Sequence, residues 1–361
     1  MVHGTGYNRS LVLGTSQYRD SKESDMNRDA RLDAMRVIAI ALVTLFHIWR
    51  FIGSPTYPVG PFDLAAPLQK GAMGVTVFVF LSGFLCKFRT DSESAIEFIK
   101  RKLLRIIPAY YSALVIWNLL LSIGITEKRH GLWDNISHLL FVHNLTQETF
   151  YSISGVFWYI GLQIQLYLIF ALLSRTILSS PSIALFVSIL LCFCVNILAP
   201  ESLSVLNRSV LSFAFPFILG LTLSNKKASL MYKLRNWPTF FLLGIITIGV
   251  SLLPSILPLG RLDSILNGLL VALACISLPD GRHLAGIQHV CGRLAMASYS
   301  IYLYNYVFYC FSPTSFGLPG LLLYTGIVFL FGVGAYFLIE WPLNDLIAKK
   351  FANRGGKFGR L

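Results

Sequence analysis

The feature that most constrains this chain is a succession of apolar stretches, each about as long as a bilayer is thick, parted by short connections in which basic residues gather. A helix crossing hydrocarbon needs about 20 mostly apolar residues at about 1.5 Å of rise each. Ten stretches approach that length: 34–52, 71–88, 97–123, 156–173, 183–198, 210–223, 239–253, 265–278, 295–311 and 318–339. Hydrocarbon offers no partner to a free N–H or C=O, so each stretch has to satisfy its own backbone, and helices do that. The expected fold is all-α, a polytopic integral membrane bundle of about ten transmembrane helices. Charged residues make up 13% of the 361-residue chain, against about 25% in soluble domains, so a soluble fold is excluded.

Where the charges fall sets the orientation. Arg28, Arg31 and Arg36 open the first stretch, Lys100 to Arg105 open the third, and Lys226, Lys227, Lys233 and Arg235 follow the sixth. Arg282, His283 and Arg293 follow the eighth, and Lys349, Lys350, Arg354, Lys357 and Arg360 lie in the tail. Basic loops stay on the cytosolic side, so both termini are expected there. The net charge of +13 is thereby accounted for without a nucleic-acid partner. Three regions result: a flexible cytosolic tail over 1–27, a membrane domain over 28–346 and a basic cytosolic tail over 347–361. The first 27 residues contain no apolar core or cleavage site of a signal peptide, and Met26 is the expected natural start. Six cysteines, mostly in or beside apolar runs, form neither a disulfide framework nor a metal-ligand spacing.

The first stretch, RLDAMRVIAIALVTLFHIWRF over Arg31 to Phe51, holds two residues that hydrocarbon disfavours, Arg36 and His47. They are eleven positions apart, about 1100° of helical rotation, which returns to within roughly 20° of the same face. The imidazole then sits roughly 16 Å deeper along the axis than the guanidinium. Ionisable groups inside a span face a bundle interior or a watery cavity and are functional candidates. A structural role for His47, bonding a neighbouring helix, and an interfacial anchor role for Arg36 are the plain alternatives. The basic run Lys100, Arg101, Lys102 and Arg105 suits phosphates or anionic lipid headgroups equally.

Several motifs follow in order: LDAMR with His47 after ten further residues, GVTVFVFLSGFL, RKLLRIIPAYY, WYIGLQIQLY over Trp158 to Tyr167, SYSIYLYN over Ser298 to Asn305, and EWP over Glu340 to Pro342. Together they resemble the acyltransferase 3 family of integral membrane O-acyltransferases, over nearly the whole chain. The resemblance implies transfer of an acyl group, usually acetyl from acetyl-CoA as donor substrate and with no permanently bound cofactor, to a carbohydrate hydroxyl. It implies His47 and Arg36 as the catalytic pair. Arg36, Arg101, Lys102 and Arg105 become candidates for binding the CoA phosphates, and Trp158, Gln163, Gln165, Tyr167 and Asn305 candidates for substrate contact. The implied partners are membrane lipid, acyl-CoA, a carbohydrate acceptor and glycan-assembly proteins, in a bacterial inner membrane.

Three positions depart from the family pattern. Lys102 replaces the first arginine of an Arg-x-x-Arg pair, with Arg101 as a substitute. Gln163 stands where many members have glutamate, and Asn305 where histidine is frequent. Ser82 and Gly83 read first as helix packing. Glu340 reads as a partner for a basic residue of the CoA mouth or as an interfacial acid. In the 124–155 connection, His130, Trp133, His138 and His143 fit no metal motif and are expected in a solvated loop. A transporter of a small acid or glycan precursor is the competing class, since such proteins also bury arginine and histidine.

Overall fold

The structure, a computed structural model, describes residues 29–60, 62–63, 65–88, 93–124, 128, 130–198, 205–225, 233–252, 261–279, 285–310 and 317–352. The readings that concern Met26, Arg28, Lys226, Lys227, Arg282, His283, Arg354, Lys357 and Arg360 fall outside these residues.

Among the described residues the regular structure is helical apart from an antiparallel ribbon of two-residue strands, Pro58–Val59 against Phe62–Asp63. Helix α1 is Ala30–Phe51. Asp29 caps it, accepting from the Arg31 backbone N–H at 3.0 Å and from its guanidinium at 2.9 Å, and Asp33 adds a negative charge to the first turn. A 3₁₀ turn Lys70–Ala72 leads into α2, Met73–Phe84. Helix α3, Ala95–Ser122, starts with a reciprocal Ser94–Glu97 capping box and runs through Pro108 without a break. A short amphipathic α4, Leu132–Leu139, lies before α5, Trp158–Ser179. Then come α6 (Pro181–Leu198), α7 (Val210–Ser224), α8 (Trp237–Leu252), α9 (Arg261–Ser277) and α10 (Ala285–Leu303). Helix α11, Gly317–Ala335, continues through a π-turn, Tyr336–Glu340, into α12, Trp341–Ala352.

Among the described residues six helical segments are long and apolar enough to cross a membrane: 30–51, 95–122, 158–179, 181–198, 206–224 and 317–347. Segments 237–250 and 262–277 are apolar but shorter. Large side chains on the outside of α5, α6, α8 and α11, such as Leu172, Phe186, Ile245 and Leu330, are exposed. Such a surface suits lipid, and the protein is an integral membrane protein.

Helix α2 holds the centre, and glycines let its neighbours close on it. A Cβ on Gly83 would strike the Phe217 carbonyl of α7, and one on Gly220 would strike the Phe80 carbonyl of α2. Gly74 meets the Ala39 carbonyl of α1 in the same way, and a Cβ on Gly268 of α9 would lie 2.5 Å from the Met73 carbonyl. Close backbone approach of this kind replaces the hydrophobic drive that helices lack in lipid. The LSGF segment therefore packs, as its small residues suggest. These contacts fix α1, the helix that carries Arg36 and His47, against α2.

Candidate active site

Two cavities open along α1. The narrower, ≈ 140 Å³, is lined by Arg36, Ser82, Lys102, Arg105, Gln163, Tyr167, Tyr299 and Glu340 among others. The wider, ≈ 660 Å³, holds His47 with Arg50, Thr76, Tyr151, Trp158, Arg208 and Tyr306. The shared face of α1 thus serves two chambers, with Arg36 at one and His47 at the other. Tyr302 lines both. Its hydroxyl donates to the Val156 carbonyl at 2.6 Å, and its ring lies 5.3 Å from that of Tyr159 and 6.3 Å from that of Phe78. Tyr302 is thus the shared wall, with Tyr159 and Phe78 beside it on the narrow side.

His47 is held from two elements. Its Nδ1 lies 2.7 Å from Asn305 Oδ1, and Asn305 Nδ2 donates to Thr44 Oγ1 at 2.6 Å. Thr44 lies one turn before His47 on α1, and Asn305 begins the 3₁₀ turn Asn305–Cys310 that follows α10. An oxygen opposite Nδ1 requires the proton on that nitrogen, leaving Nε2 with the free lone pair. Tyr306 packs against the imidazole at 4.9 Å, edge to face. Asn305 is wholly buried. Its side chain bridges His47 and Thr44.

The narrow cavity concentrates polar groups from five helices and the π-turn. Lys102 Nζ lies 4.7 Å from the Tyr167 ring centre and 3.4 Å from the Leu85 carbonyl. Gln163 Nε2 donates to the Tyr167 hydroxyl at 3.0 Å and to Ser82 Oγ at 3.2 Å. The π-turn brings Glu340 inward, where its carboxylate accepts from Ser300 Oγ at 2.5 Å. Arg36 is paired with Asp33 at 2.8 Å, three residues earlier on α1.

Three predicted site residues line neither cavity: Asn305, Arg101 and Gln165. Arg101 is engaged by Glu93 at 2.8 and 2.9 Å and by the Lys87 carbonyl at 3.2 Å. It precedes Lys102 by one residue, a rotation of about 100°, which takes it off the cavity face. Gln165, about 200° round the helix from Gln163, donates to the Phe141 carbonyl at 3.0 Å and to Asn144 at 2.8 Å. It locks α5 to the preceding loop. Trp158, Gln163, Tyr167, Lys102 and Arg105 do reach a cavity.

One expectation is corrected. His138 and His143 are not solvated: both are fully buried, with rings stacked 4.0 Å apart at 9°. Helix α4 folds over the loop, and His138 Nδ1 bonds back to the Asp134 carbonyl at 2.8 Å. Burial pulls the basicity down, His138 to about 4 and His143 to about 3, the second also through repulsion from the first. His130 and Trp133 stay exposed.

Arg50 and Arg208 were missed by the sequence reading. Arg50 is three residues beyond His47 and therefore on its side of α1, a signal that the i, i+3 rule carries. Arg208 is an isolated cation at the head of an apolar run, the pattern that marks functional candidates in membranes.

The family model described as an acyltransferase domain, Acyl_transf_3, matches residues 29–341. The chain belongs to the acyltransferase 3 family. Of this family chain, 47% aligns at 29% identity with the Regulator of hypoxia-inducible factor 1 of Caenorhabditis elegans, covering 39% of that protein. A further 28% identity over 151 residues, 41% of the chain, relates it to ORF330 of Acidianus two-tailed virus, whose name marks it as a candidate acetyltransferase, with 42% of that protein covered. The chain thus spans about two fifths of the length of each of these relatives. No solved structure matches it.

Proposed function

We propose that this acyltransferase 3 member is a membrane-bound O-acyltransferase that moves acetyl from acetyl-CoA to a hydroxyl of an exopolysaccharide, lipopolysaccharide or lipid-linked glycan. The observation that carries the reading is His47, oriented by Asn305 and Thr44, with its unshared ring nitrogen available in a chamber large enough for a sugar. In the reaction His47 Nε2 takes the proton of the acceptor hydroxyl as its oxygen attacks the thioester carbonyl. The C–S bond then breaks, and the proton passes from the imidazolium to the departing thiolate, giving an ester and free CoA. A positioned base of this kind contributes about 10²–10⁴-fold.

The narrow cavity suits the donor. Arg36, Lys102 and Arg105 gather at its walls, and the several phosphates of CoA are suited to lysines and arginines at a helix approach. In this reading the bundle has ten spans and both termini in the cytosol, so the narrow cavity opens to the acyl-CoA pool and the wide one to the opposite face. The membrane is the bacterial inner membrane, and glycan-assembly proteins deliver or remove the acceptor.

Chambers that share a wall at Tyr302 also favour a second reading, a transporter of a small acid or glycan precursor. Free-thiol release from acetyl-CoA by protein in lipid nanodiscs separates the two. Glycan-stimulated release that disappears in His47→Ala supports transfer. Substrate counterflow with no thioester cleavage replaces it with transport.

A further inference from the structure

The wide cavity has a charge pattern that the donor half of the reaction does not use. Arg50 and Arg208 both line it, and among the described residues that line it none is an aspartate or glutamate. The Arg208 guanidinium rests over the rings of Phe150 at 5.1 Å and Tyr151 at 5.2 Å. A third cation stands behind the wall. Lys128 Nζ lies 5.9 Å from the Tyr306 ring and donates to the Tyr151 carbonyl at 3.2 Å, and burial lowers its basicity. No described carboxylate forms an ion pair with any of the three.

Arg208 and Lys128 are half-buried, whereas Arg50 is exposed at the cavity mouth. Withdrawing the first two from water without a counter-charge is costly, and ring faces offset only part of the cost. Such an arrangement persists where an anion completes it. The loop that builds this wall is itself held in an unfavourable shape. Ile153 has φ 59, a left-handed value that β-branched residues avoid, closed by a Ser154 N–H to Ser152 carbonyl bond at 2.6 Å. Two residues on, a Cβ at Gly155 would strike the Tyr306 ring, so the glycine lets Tyr306 lie against this loop while its ring packs on His47. Strained backbone of this kind gathers at ligand sites.

We propose that the acceptor bound beside His47 carries a fixed negative charge, a carboxylate or a phosphate on the sugar that presents the hydroxyl, anchored by Arg208 and Arg50 in the field of Lys128. The proposal deepens the acyltransferase reading and rests on it for the role of His47. Trp158, Tyr151 and Tyr306 give flat faces for the ring, and the arginines hold the anion. A neutral sugar leaves both arginines uncompensated, so the site discriminates by charge.

The test is equilibrium binding to the nanodisc-embedded protein, followed by calorimetry, with methyl β-glucuronide, glucose 1-phosphate and neutral methyl β-glucoside as probes. At least one charged probe should bind more tightly than the neutral one by about tenfold, with affinity falling as salt rises. The stronger of the two charged probes identifies the anion. Arg208→Gln and, separately, Arg50→Gln should each lose about tenfold, and Arg208→Lys should recover part of the loss. Equal binding of charged and neutral probes, wild-type affinity in both glutamine variants, or no binding of either charged probe overturns the proposal. Charge-dependent binding without thiol release on any acceptor would keep the anion site and sink acyl transfer. Thiol release stimulated equally by neutral sugars would do the reverse.

Discussion

The two chambers along α1 hold similar numbers of cations and treat them differently. In the narrow one Arg36 is tied to Asp33, and Glu340 sits among the lining residues, so positive charge is partly balanced from within. In the wide one Arg50 and Arg208 face the cavity beside His47 with no described acid among the lining residues. Balanced cations with oxygen and ring neighbours make a site that a polyanion can enter and leave. Unbalanced cations beside a base make a site that selects. On the proposed reading, donor handling falls at one end of α1 and acceptor chemistry at the other, and Tyr302 lines both cavities.

The sharpest way to break this division is His47→Ala. It should lower kcat for thiol release by about 10²–10⁴-fold while leaving acetyl-CoA affinity, read by calorimetry, unchanged. A parallel loss of donor binding would merge the chambers into one site. The converse experiment strips the narrow chamber. Lys102→Gln combined with Arg105→Gln should raise the KM for acetyl-CoA by roughly 10²–10⁴-fold, at about 1.5–3 kcal/mol for each of two charged hydrogen bonds, with kcat largely kept. A fall in kcat at constant KM would show instead that these cations act on the transition state.

Asn305 tests whether the wide chamber depends on orientation as well as on the base. Asn305→Ala removes the oxygen opposite His47 Nδ1 and the donor to Thr44. The expected result is about a tenfold lower kcat with unchanged KM for donor and acceptor, since positioning through a second residue typically costs about 10–100-fold. Asn305→His, which restores the residue frequent in the family, should recover part of it. An equal rise in both KM values would return Asn305 to substrate contact.

Much of this was legible from the chain, and for a clear reason. Hydrocarbon penalises each misplaced polar group, so apolar length and basic connections reveal helices, and a histidine three turns from an arginine in a span stands out. Arg36 and His47 were therefore found as a pair, though not that each lines a different cavity. What stayed hidden depends on contacts between distant segments. Asn305 meets His47 across 258 positions, and no periodicity reports that. Arg101 and Gln165 were read from neighbourhood in sequence, whereas rotation about the helix sends them to Glu93 and Asn144. The histidines of the 124–155 connection looked solvated because loop composition gives no sign that α4 closes over them.

That buried pair yields the mildest prediction, and it separates the chambers by pH. His138 and His143 support the segment from α4 to Tyr151 and Gly155, which forms a wall of the wide cavity and none of the narrow one. Both are neutral in the fold, at about 4 and about 3, whereas an unfolded histidine titrates near 6.5. Between those values the unfolded segment binds more protons, so its stability is complete above about pH 6.5 and declines as pH falls toward the folded values. Protonating either ring would also place a cation against its stacked neighbour, and the Asp134 side chain, which caps α4 by accepting from Gly131 N–H at 2.9 Å, is already engaged. Hydrogen exchange over residues 132–157, corrected for intrinsic rate, should therefore quicken a few-fold between about pH 7 and about pH 5. Acetyl-CoA affinity should stay level over the same interval, because the narrow chamber shares none of this wall. Unchanged protection of 132–157 would mean that the pair does not govern the wall, and a matching fall in donor affinity would mean that the two ends of α1 are coupled through Tyr302.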